Sequence, residues 1–314
     1  MTQPHPTADS AQRRILVIGA TGTVGRAVLA SLRAREADVR VLVRRPNDDP
    51  GWAGVEQVVG DLTDPLALRR ALTGVSAAFY VSPHEDGEEE LARTFVTECN
   101  RAGVRIVFAG VHISSRTARD WLLLQVMRVL LPNYRPKLRI GQLIERTAPG
   151  SVLFSPSNFY DNDELFLDDI RAGQYPMPMR GVNRVAVSDV GELCARALLD
   201  PDFPSGSYPL SGPRSFTGAQ SAQVWAEALG RPVAYTGDDA DAWHAALDRR
   251  VPPGKKNRDF RASFRALGRI AVKTSAADVA ETTRLLGRAP LGYADYVEDL
   301  ARTGGVTSRR DQAE

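Results

Sequence analysis

The chain predicts an α/β fold: a doubly wound parallel sheet with helices on both faces, followed by a smaller α+β lobe. Three observations predict it. Short apolar runs alternate with amphipathic segments through the first half, the order of strand and crossover helix in a parallel sheet. The runs are continuously apolar rather than alternating, as strands covered on both faces require. The first run, Arg13-Arg-Ile-Leu-Val-Ile18, leads directly into Gly19-Ala-Thr-Gly-Thr-Val-Gly25. There a strand, a tight turn with three glycines spaced three apart, and a helix start follow one another without a gap.

The elements follow in order. Ile15–Ile18 is the first strand and Val24 to Ala34 the first helix. Val39–Val43 and Val55–Val59 are strands two and three. Asp64-Pro65 opens a helix that runs to Gly74. Asp suits the N-cap, Pro the first helical position and Gly the position past the end. Val75–Val81 is strand four, Glu88 to Ala102 a helix closed by Gly103, Val104–Ala109 strand five and Val152–Ser155 strand six. Parallel strands joined this way wind right-handed. Beyond Pro156 the pattern changes. Helical segments at Asp163–Ala172, Asp189–Leu199, Thr217–Leu229 and Asp239–Leu247 are separated by Pro/Gly-rich connections such as Gln174-Tyr-Pro-Met-Pro178 and Asp200-Pro-Asp-Phe-Pro-Ser-Gly206.

The glycine turn brings in the chemistry. Backbone N–H groups at a helix N-terminus lack intrahelical partners and attract anions. Glycines there remove side chains that would hold a pyrophosphate away or force strand and helix apart. The reading is a Rossmann-type dinucleotide site with Gly19, Thr21, Gly22, Thr23, Val24 and Gly25 around the phosphates. In NAD-selective sites an acidic residue near the end of strand two bonds the ribose 2′-OH. Here strand two ends Val43-Arg44-Arg45, and no carboxylate follows until Asp48. A guanidinium pairs with a 2′-phosphate that a carboxylate would repel. NADPH is therefore expected over NADH, with Arg44 as principal contact and Arg45 as helper; the plainer reading is two solvated arginines in an Arg-rich chain. Val81-Ser82-Pro83, after strand four, should border the nicotinamide-side ribose, because ligands sit outside the carboxyl ends of such strands.

Composition narrows the classes. The chain has 314 residues, 43% of them hydrophobic, and a formal net charge of +2. That suits one α/β domain with a smaller lobe and gives no reason to expect nucleic acid or an anionic membrane as partner. The two cysteines, Cys99 and Cys194, are far apart, which predicts a reduced, cytoplasmic chain without disulfides or a Cys-based metal site. The longest apolar cluster, Trp121 to Leu131, is too short to cross a bilayer, which needs roughly 20 residues. The expected organisation is a loose tail over 1–12, a dinucleotide-binding domain over 13–156, a substrate-binding lobe over 157–302 in which Rossmann elements can recur, and a polar tail over 303–314. Basic residues are nearly all arginine; the lysines are Lys137, Lys255, Lys256 and Lys273.

Several signposts together resemble the NmrA-like branch of the atypical short-chain dehydrogenase/reductase superfamily. They are Gly19-Ala-Thr-Gly-Thr-Val-Gly25, Leu42-Val-Arg-Arg45, Gly60-Asp-Leu-Thr-Asp-Pro65, Phe154-Ser-Pro-Ser-Asn-Phe159 and Val187-Ser-Asp-Val-Gly191, with Gly292-Tyr-Ala-Asp-Tyr-Val297 resembling the closing helix. The resemblance spans about Arg14 to Leu300. The branch holds isoflavone reductase-like enzymes, NAD(P)H:quinone oxidoreductases and non-catalytic dinucleotide sensors. The resemblance implies that Asp61 and Leu62 flank the adenine, Asp61 accepting from its amine; capping the next turn is an equally good role for Asp61. Ser155 and Pro156, at the end of strand six, are expected at the cofactor, and Asn158, Phe159 and Tyr160, which follow it, are expected to line the pocket.

For catalysis, Tyr134-Arg-Pro-Lys137 has one residue too few for the Tyr-x-x-x-Lys pair of short-chain dehydrogenases, and Pro136 marks a helix start that leaves Tyr134 outside. Lys137-Leu-Arg-Ile-Gly-Gln-Leu-Ile-Glu145 resembles instead the Lys helix of the isoflavone reductase-like enzymes. That implies Lys137 as general acid/base or as the group orienting the nicotinamide ribose. Lysine suits both roles, because burial lowers its pKa and its ammonium donates to hydroxyls. The competing reading is an exposed charge on a first helical turn. His112 and Ser114, after strand five, are further candidates for polarising a substrate. The acidic run near His84 (Glu85, Asp86, Glu88, Glu89, Glu90) reads as a solvated helix N-terminus rather than a metal site. Asp189 with Glu192 reads as an N-cap and its N3 partner. Trp121–Leu131 either roofs the pocket, which would imply an apolar or aromatic substrate, or is a homodimer contact or core.

The leading expectation is an NADPH-dependent reductase that passes hydride to a carbonyl, quinone or enone of a small molecule. The alternative is a dinucleotide-sensing regulator that binds a partner protein. A nucleotide-sugar epimerase is disfavoured by the missing Tyr-x-x-x-Lys pair.

Overall fold

The computed structural model describes residues 13–113, 134–271 and 275–303, together with Leu122 and Gln125. In chain order its strands are β1 (Arg14–Ile18), β2 (Val39–Val43), β3 (Glu56–Val59), β4 (Val75–Tyr80), β5 (Arg105–Ala109), β6 (Val152–Pro156), β7 (Asn158–Phe159), β8 (Gln174–Tyr175), β9 (Val182–Val185), β10 (Gly206–Leu210), β11 (Ser215–Phe216) and β12 (Ala234–Tyr235). The described α-helices are α1 (Thr23–Arg33), α2 (Pro65–Leu72), α3 (Glu88–Ala102), α4 (Arg135–Thr147), α5 (Leu167–Arg171), α6 (Val187–Leu199), α7 (Gly218–Leu229), α8 (Ala240–Asp248), α9 (Lys255–Arg269), α10 (Ala276–Leu286) and α11 (Tyr293–Thr303).

Seven parallel strands form the main sheet in the order β10-β6-β5-β4-β1-β2-β3. Side chains alternate along each strand, so each feeds two cores. Val17, Val41, Phe79 and Val107 pack under α1 and α6 on one face. Leu16, Ile18, Ala78 and Phe108 pack with Leu68 of α2, Phe95 of α3 and Ile140 of α4 on the other. This is the doubly wound arrangement that continuous apolar strands require. Asp64 caps α2 by accepting from the Leu66 N–H at 2.8 Å, with Pro65 next, and Gly103 closes α3 with φ +66°.

The chain departs from its sequence pattern at the seventh strand. β10 begins at the last residue of the Asp200–Gly206 connection, and residues 207–210 carry no strand in the sequence reading. It pairs only with β6, at the sheet edge, where a proline is tolerated because no neighbour needs its missing N–H. Residues 187–210 thus return to the main sheet after the lobe has begun: α6 packs on α1 and β10 closes the edge. The start of α6 also differs. Asp189 is not its N-cap; the helix begins at Val187, whose N–H donates to Asp161 Oδ2 at 3.1 Å. Asp189 is buried and accepts from Arg288 and from the Leu291 N–H, tying down the segment before α11.

A third core, built from Tyr160, Phe166, Tyr175, Trp225, Trp243, Phe264 and Tyr293, fills the lobe. At its centre Asp163, fully buried, accepts from Tyr175 Oη at 2.8 Å, Arg184 Nη2 at 2.7 Å, Trp225 Nε1 at 2.9 Å and the Tyr293 hydroxyl. Arg184 also donates to the Phe159 and Tyr160 carbonyls and to Asn158 Oδ1. A buried ion pair is tolerable only when its remaining donors and acceptors are used in this way.

Candidate functional site

Strand order reverses between β1 and β4, which are neighbours although two strands and their connections separate them in sequence. In an open α/β sheet the crevice outside the carboxyl ends at such a point is where ligands bind. The glycine turn leaves β1 there, and Val81-Ser82 leaves β4 beside it. Gly19 has φ +73°, and a Cβ on it would lie 2.8 Å from Val81 Cγ1. A Cβ on Gly25 would lie 2.0 Å from the Gly19 carbonyl oxygen. Backbone, not side chain, therefore fills this corner. Gly22 sits at the N-cap of α1 with no side-chain cap, and no acidic residue occupies the first turn. The leading N–H groups of α1 have no carboxylate competing for them, so the turn fits a pyrophosphate.

At the far end of strand two Arg44 and Arg45 are exposed. Arg44 pairs with Glu85 at 3.0 Å across the crevice mouth. Asp61 Oδ1 accepts from the Thr63 N–H and hydroxyl, both at 2.8 Å, which hold its carboxyl below its usual range, with Arg44 adding to the effect. The capping role of Asp61 is thus filled by one oxygen. Leu62 is half-buried against the α2 face of the core.

Lys137 lies in the first turn of α4 and is buried, its side chain 10% exposed. Tyr134 is the N-cap residue and points away, its hydroxyl donating to Ser263 Oγ at 2.8 Å. Lys137 Nζ donates to Glu88 Oε2 at 2.8 Å. Glu88 also accepts from Ser82 Oγ at 2.7 Å on that oxygen and from Lys255 Nζ at 3.0 Å on Oε1. Lys255 reaches Asp259 Oδ2 at 2.9 Å, the same oxygen that His84 Nδ1 meets at 2.9 Å. Two of the four lysines of the chain thus converge on one carboxylate. The acidic run is not uniformly solvated: Glu88, its first helical residue, is 2% exposed. The α3 dipole favours an anion there, and Glu88 offsets the cost of a cation at the start of α4. Burial alone would raise the Glu88 carboxyl; the Lys137 charge, then hydrogen bonds from Lys137, Ser82 and Lys255, outweigh it and hold it below the usual range. Asp259 is held low in the same way, burial being outweighed by His84 and Lys255.

Carboxylates depressed in the fold add stability that is present above their ordinary values, 4.5 and 3.8, and is lost as pH falls through the depressed ones. Melting temperatures measured from pH 7 down to pH 3 should therefore show the unmutated protein losing its margin over Glu88→Gln. A margin constant down to pH 3 would contradict the assignment.

The other candidates divide. His112 is buried past the end of β5, its ring over Gly141 of α4 and its Nε2 3.8 Å from Glu145 Oε2. Ser155 Oγ donates to the His112 carbonyl at 3.0 Å, so both residues brace the β5–β6 ends. Pro156 is half-buried at the end of β6. Asn158 and Phe159 are half-buried and bonded to Arg184. Tyr160 does not line a pocket: it is fully buried in the lobe core, its ring 4.9 Å from that of Tyr293. Ser114 lies outside the described residues, as does the Trp121–Leu131 segment except for Leu122 and Gln125. A cleft of about 700 Å³ beside Asn100, Arg105, Gly150 and Phe203 opens at the opposite, amino ends of the strands. The Arg105 guanidinium there already donates to the carbonyls of Gly150, Asp200, Pro201 and Phe203. No described helix is long and apolar enough to cross a membrane.

Comparison with known proteins identifies the family. A profile of the NAD(P)H-binding family matches residues 19–201. An NAD(P)H azoreductase of Xenophilus azovorans is 28% identical over 226 residues, 70% of this chain and 76% of that protein. A (4-alkanoyl-5-oxo-2,5-dihydrofuran-3-yl)methyl phosphate reductase of Streptomyces griseus subsp. griseus is 30% identical over 247 residues, 76% of this chain and 82% of that protein. Triphenylmethane reductase of Citrobacter sp., solved in complex with NADP(H), superposes with a TM-score of 0.73 at 20% identity, covering 91% of this chain and 99% of that one, a likeness of fold.

Proposed function

The chain belongs to the NAD(P)H-binding family whose profile matches residues 19–201, and on that premise we propose that it is an NADPH-dependent reductase of the NmrA-like kind that its motifs resemble, acting on small molecules with a carbonyl, quinone or enone group. The observation that supports this reading most is the buried Lys137 ammonium, held by Glu88 beside Ser82 at the crevice of the glycine turn. A site that only sensed a dinucleotide has no need of a buried proton donor there.

When bound, the dihydronicotinamide supplies the hydride. The residues of this chain do the rest. Thr23 to Gly25 offer N–H groups to the pyrophosphate, and Gly19 and Gly25 keep the approach open. Val81 and Ser82 flank the nicotinamide-side ribose. Lys137 would donate to that ribose or deliver a proton to the acceptor, and its hydrogen bond to Glu88 Oε2 aims it. An enone as acceptor draws support from the Streptomyces relative, named for a substrate with a ring double bond conjugated to a carbonyl.

NADPH is preferred to NADH in this reading, because Arg44 and Arg45 stand where a ribose-binding carboxylate would. A bound 2′-phosphate would compete with Glu85 for the Arg44 guanidinium. Fluorescence titration should show Arg44→Ala weakening NADPH about ten- to a hundredfold, the worth of a charge-assisted hydrogen bond, with NADH little changed. Equal affinity of the unmutated protein for the two dinucleotides would contradict the preference.

The activity itself is tested by NADPH oxidation against 1,4-naphthoquinone, trans-chalcone and acetophenone. Turnover with any of them supports the reductase. Tight NADPH binding without oxidation across the set, at enzyme concentrations high enough to see one turnover, favours the regulator.

A further inference from the structure

Lys137 is buried, and a proton donor that gives up its proton must recover one before the next turnover. The side chains around it form a continuous path to solvent. Lys137 Nζ is 2.8 Å from Glu88, Glu88 is 3.0 Å from Lys255 Nζ, Lys255 is 2.9 Å from Asp259, and Asp259 is 2.9 Å from His84 Nδ1. Along the path the side chains are 10% exposed at Lys137, 2% at Glu88, 17% at Lys255, 11% at Asp259 and 37% at His84, so it is the His84 end that opens to solvent. Asp259 meets both of its neighbours through one oxygen, Oδ2. His84 is steadied by Phe260, whose ring is 5.7 Å from its own. The two ends of the path come from the dinucleotide half, whereas Lys255 and Asp259 come from α9 of the lobe. A single ion pair would have sufficed to hold Lys137; the second lysine, second carboxylate and histidine extend it outward.

We propose that this chain re-protonates Lys137: His84, Asp259, Lys255 and Glu88 relay one proton from solvent to the Lys137 amine after it has protonated the reduced acceptor. The inference rests on the reading of Lys137 as proton donor. The balance is one proton in and one out, with no electrons moved. Water protonates His84 at Nε2. The Lys255 ammonium gives a proton to Glu88 Oε1 and, now the amine, takes one from Asp259 Oδ2, which has received the His84 Nδ1 proton. A half-turn of the Glu88 carboxyl exchanges its two oxygens and presents that proton to the neutral Lys137 amine. Each group then returns to its starting charge.

Two measurements test the relay. The first needs neither cofactor nor substrate: the His84 titration followed by NMR in the free protein. The charges facing His84 are Asp259 and Lys255 of α9, Glu88 of α3, and on its own loop Glu85, paired to Arg44, and Asp86, 4.0 Å from Arg258. Removing the Lys137 charge leaves Glu88 and Asp259 less compensated, so Lys137→Met should shift the His84 midpoint upward, and Lys255→Gln should shift it further. A midpoint unmoved by Lys137→Met overturns the relay.

The second compares first and later turnovers of trans-chalcone with NADPH in His84→Gln. The relay predicts an unchanged first turnover, a steady-state rate lower by on the order of tenfold or more, and recovery on adding imidazole. A first turnover that falls with the steady state, unrescued, marks a structural role and overturns the relay, as does a steady state that does not change. Failure of the parent reading looks different: Lys137→Met would then retain its first turnover, and the relay would fall with it.

Discussion

Lys137→Met is expected to lower turnover by on the order of 10²- to 10⁴-fold while leaving the NADPH dissociation constant within a few-fold of the unmutated value. Met keeps the length and apolar stem of the side chain and removes only the ammonium. The effect on cofactor affinity should be small because, in the proposed site, Arg44 and the α1 N–H groups rather than Lys137 would hold the phosphates. Some loss of stability will accompany it, since Glu88 keeps Ser82 and Lys255 but loses its 2.8 Å partner. Stability and catalysis separate by assay: the variant should melt cooperatively, bind NADPH and fail to oxidise it. Turnover within threefold of the unmutated enzyme would remove Lys137 from the chemistry.

Asp163→Ala should cost about 3–5 kcal/mol of stability, with the melting transition lowered accordingly. The substitution strands the Arg184 guanidinium, itself fully buried, and deprives Tyr175, Trp225 and Tyr293 of their shared acceptor. Replacing both partners, as in Asp163→Leu with Arg184→Met, should cost much less than Asp163→Ala alone, because no charge is then left uncompensated. Chemical denaturation of the three proteins decides it. A single variant within 1 kcal/mol of the unmutated protein would show that the hub does not hold the lobe together.

The sheet was legible because its information is local. Each of β1 to β6 is a short apolar run beside its own turn signal, and the glycine turn carries its reason in three residues. β10 was not legible, because Pro209 argues against a strand in any setting but an edge, and edge position is a property of the whole sheet. The site was legible at its centre and not around it. Lys137 stood out as the sole lysine in 254 residues. Glu88, however, looked like one more solvated acid at a helix start. Its partners lie 49 and 167 residues away, beyond the reach of periodicity. Tyr160 was misread for the mirror-image reason: a polar-tipped aromatic after a strand end suits a pocket wall, yet its hydroxyl finds the Leu291 carbonyl and its ring finds Tyr293 inside the lobe. The Asp163–Arg184 pair left no signal: Asp163 stood only as the first residue of a helical segment, and its partner lies 21 residues away, beyond the reach of periodicity.

The central claim is that the crevice between β1 and β4 seats an NADPH whose nicotinamide end meets Lys137. A crystal soaked with NADPH tests it directly, through the separation of Lys137 Nζ from the nicotinamide ribose and ring. The account predicts the pyrophosphate on the N–H groups of Thr23 to Gly25, the 2′-phosphate at Arg44, and Lys137 Nζ about 3 Å from a ribose hydroxyl, within hydrogen-bond reach. A nicotinamide bound elsewhere, with Lys137 still closed on Glu88 and out of reach of it, would contradict the account.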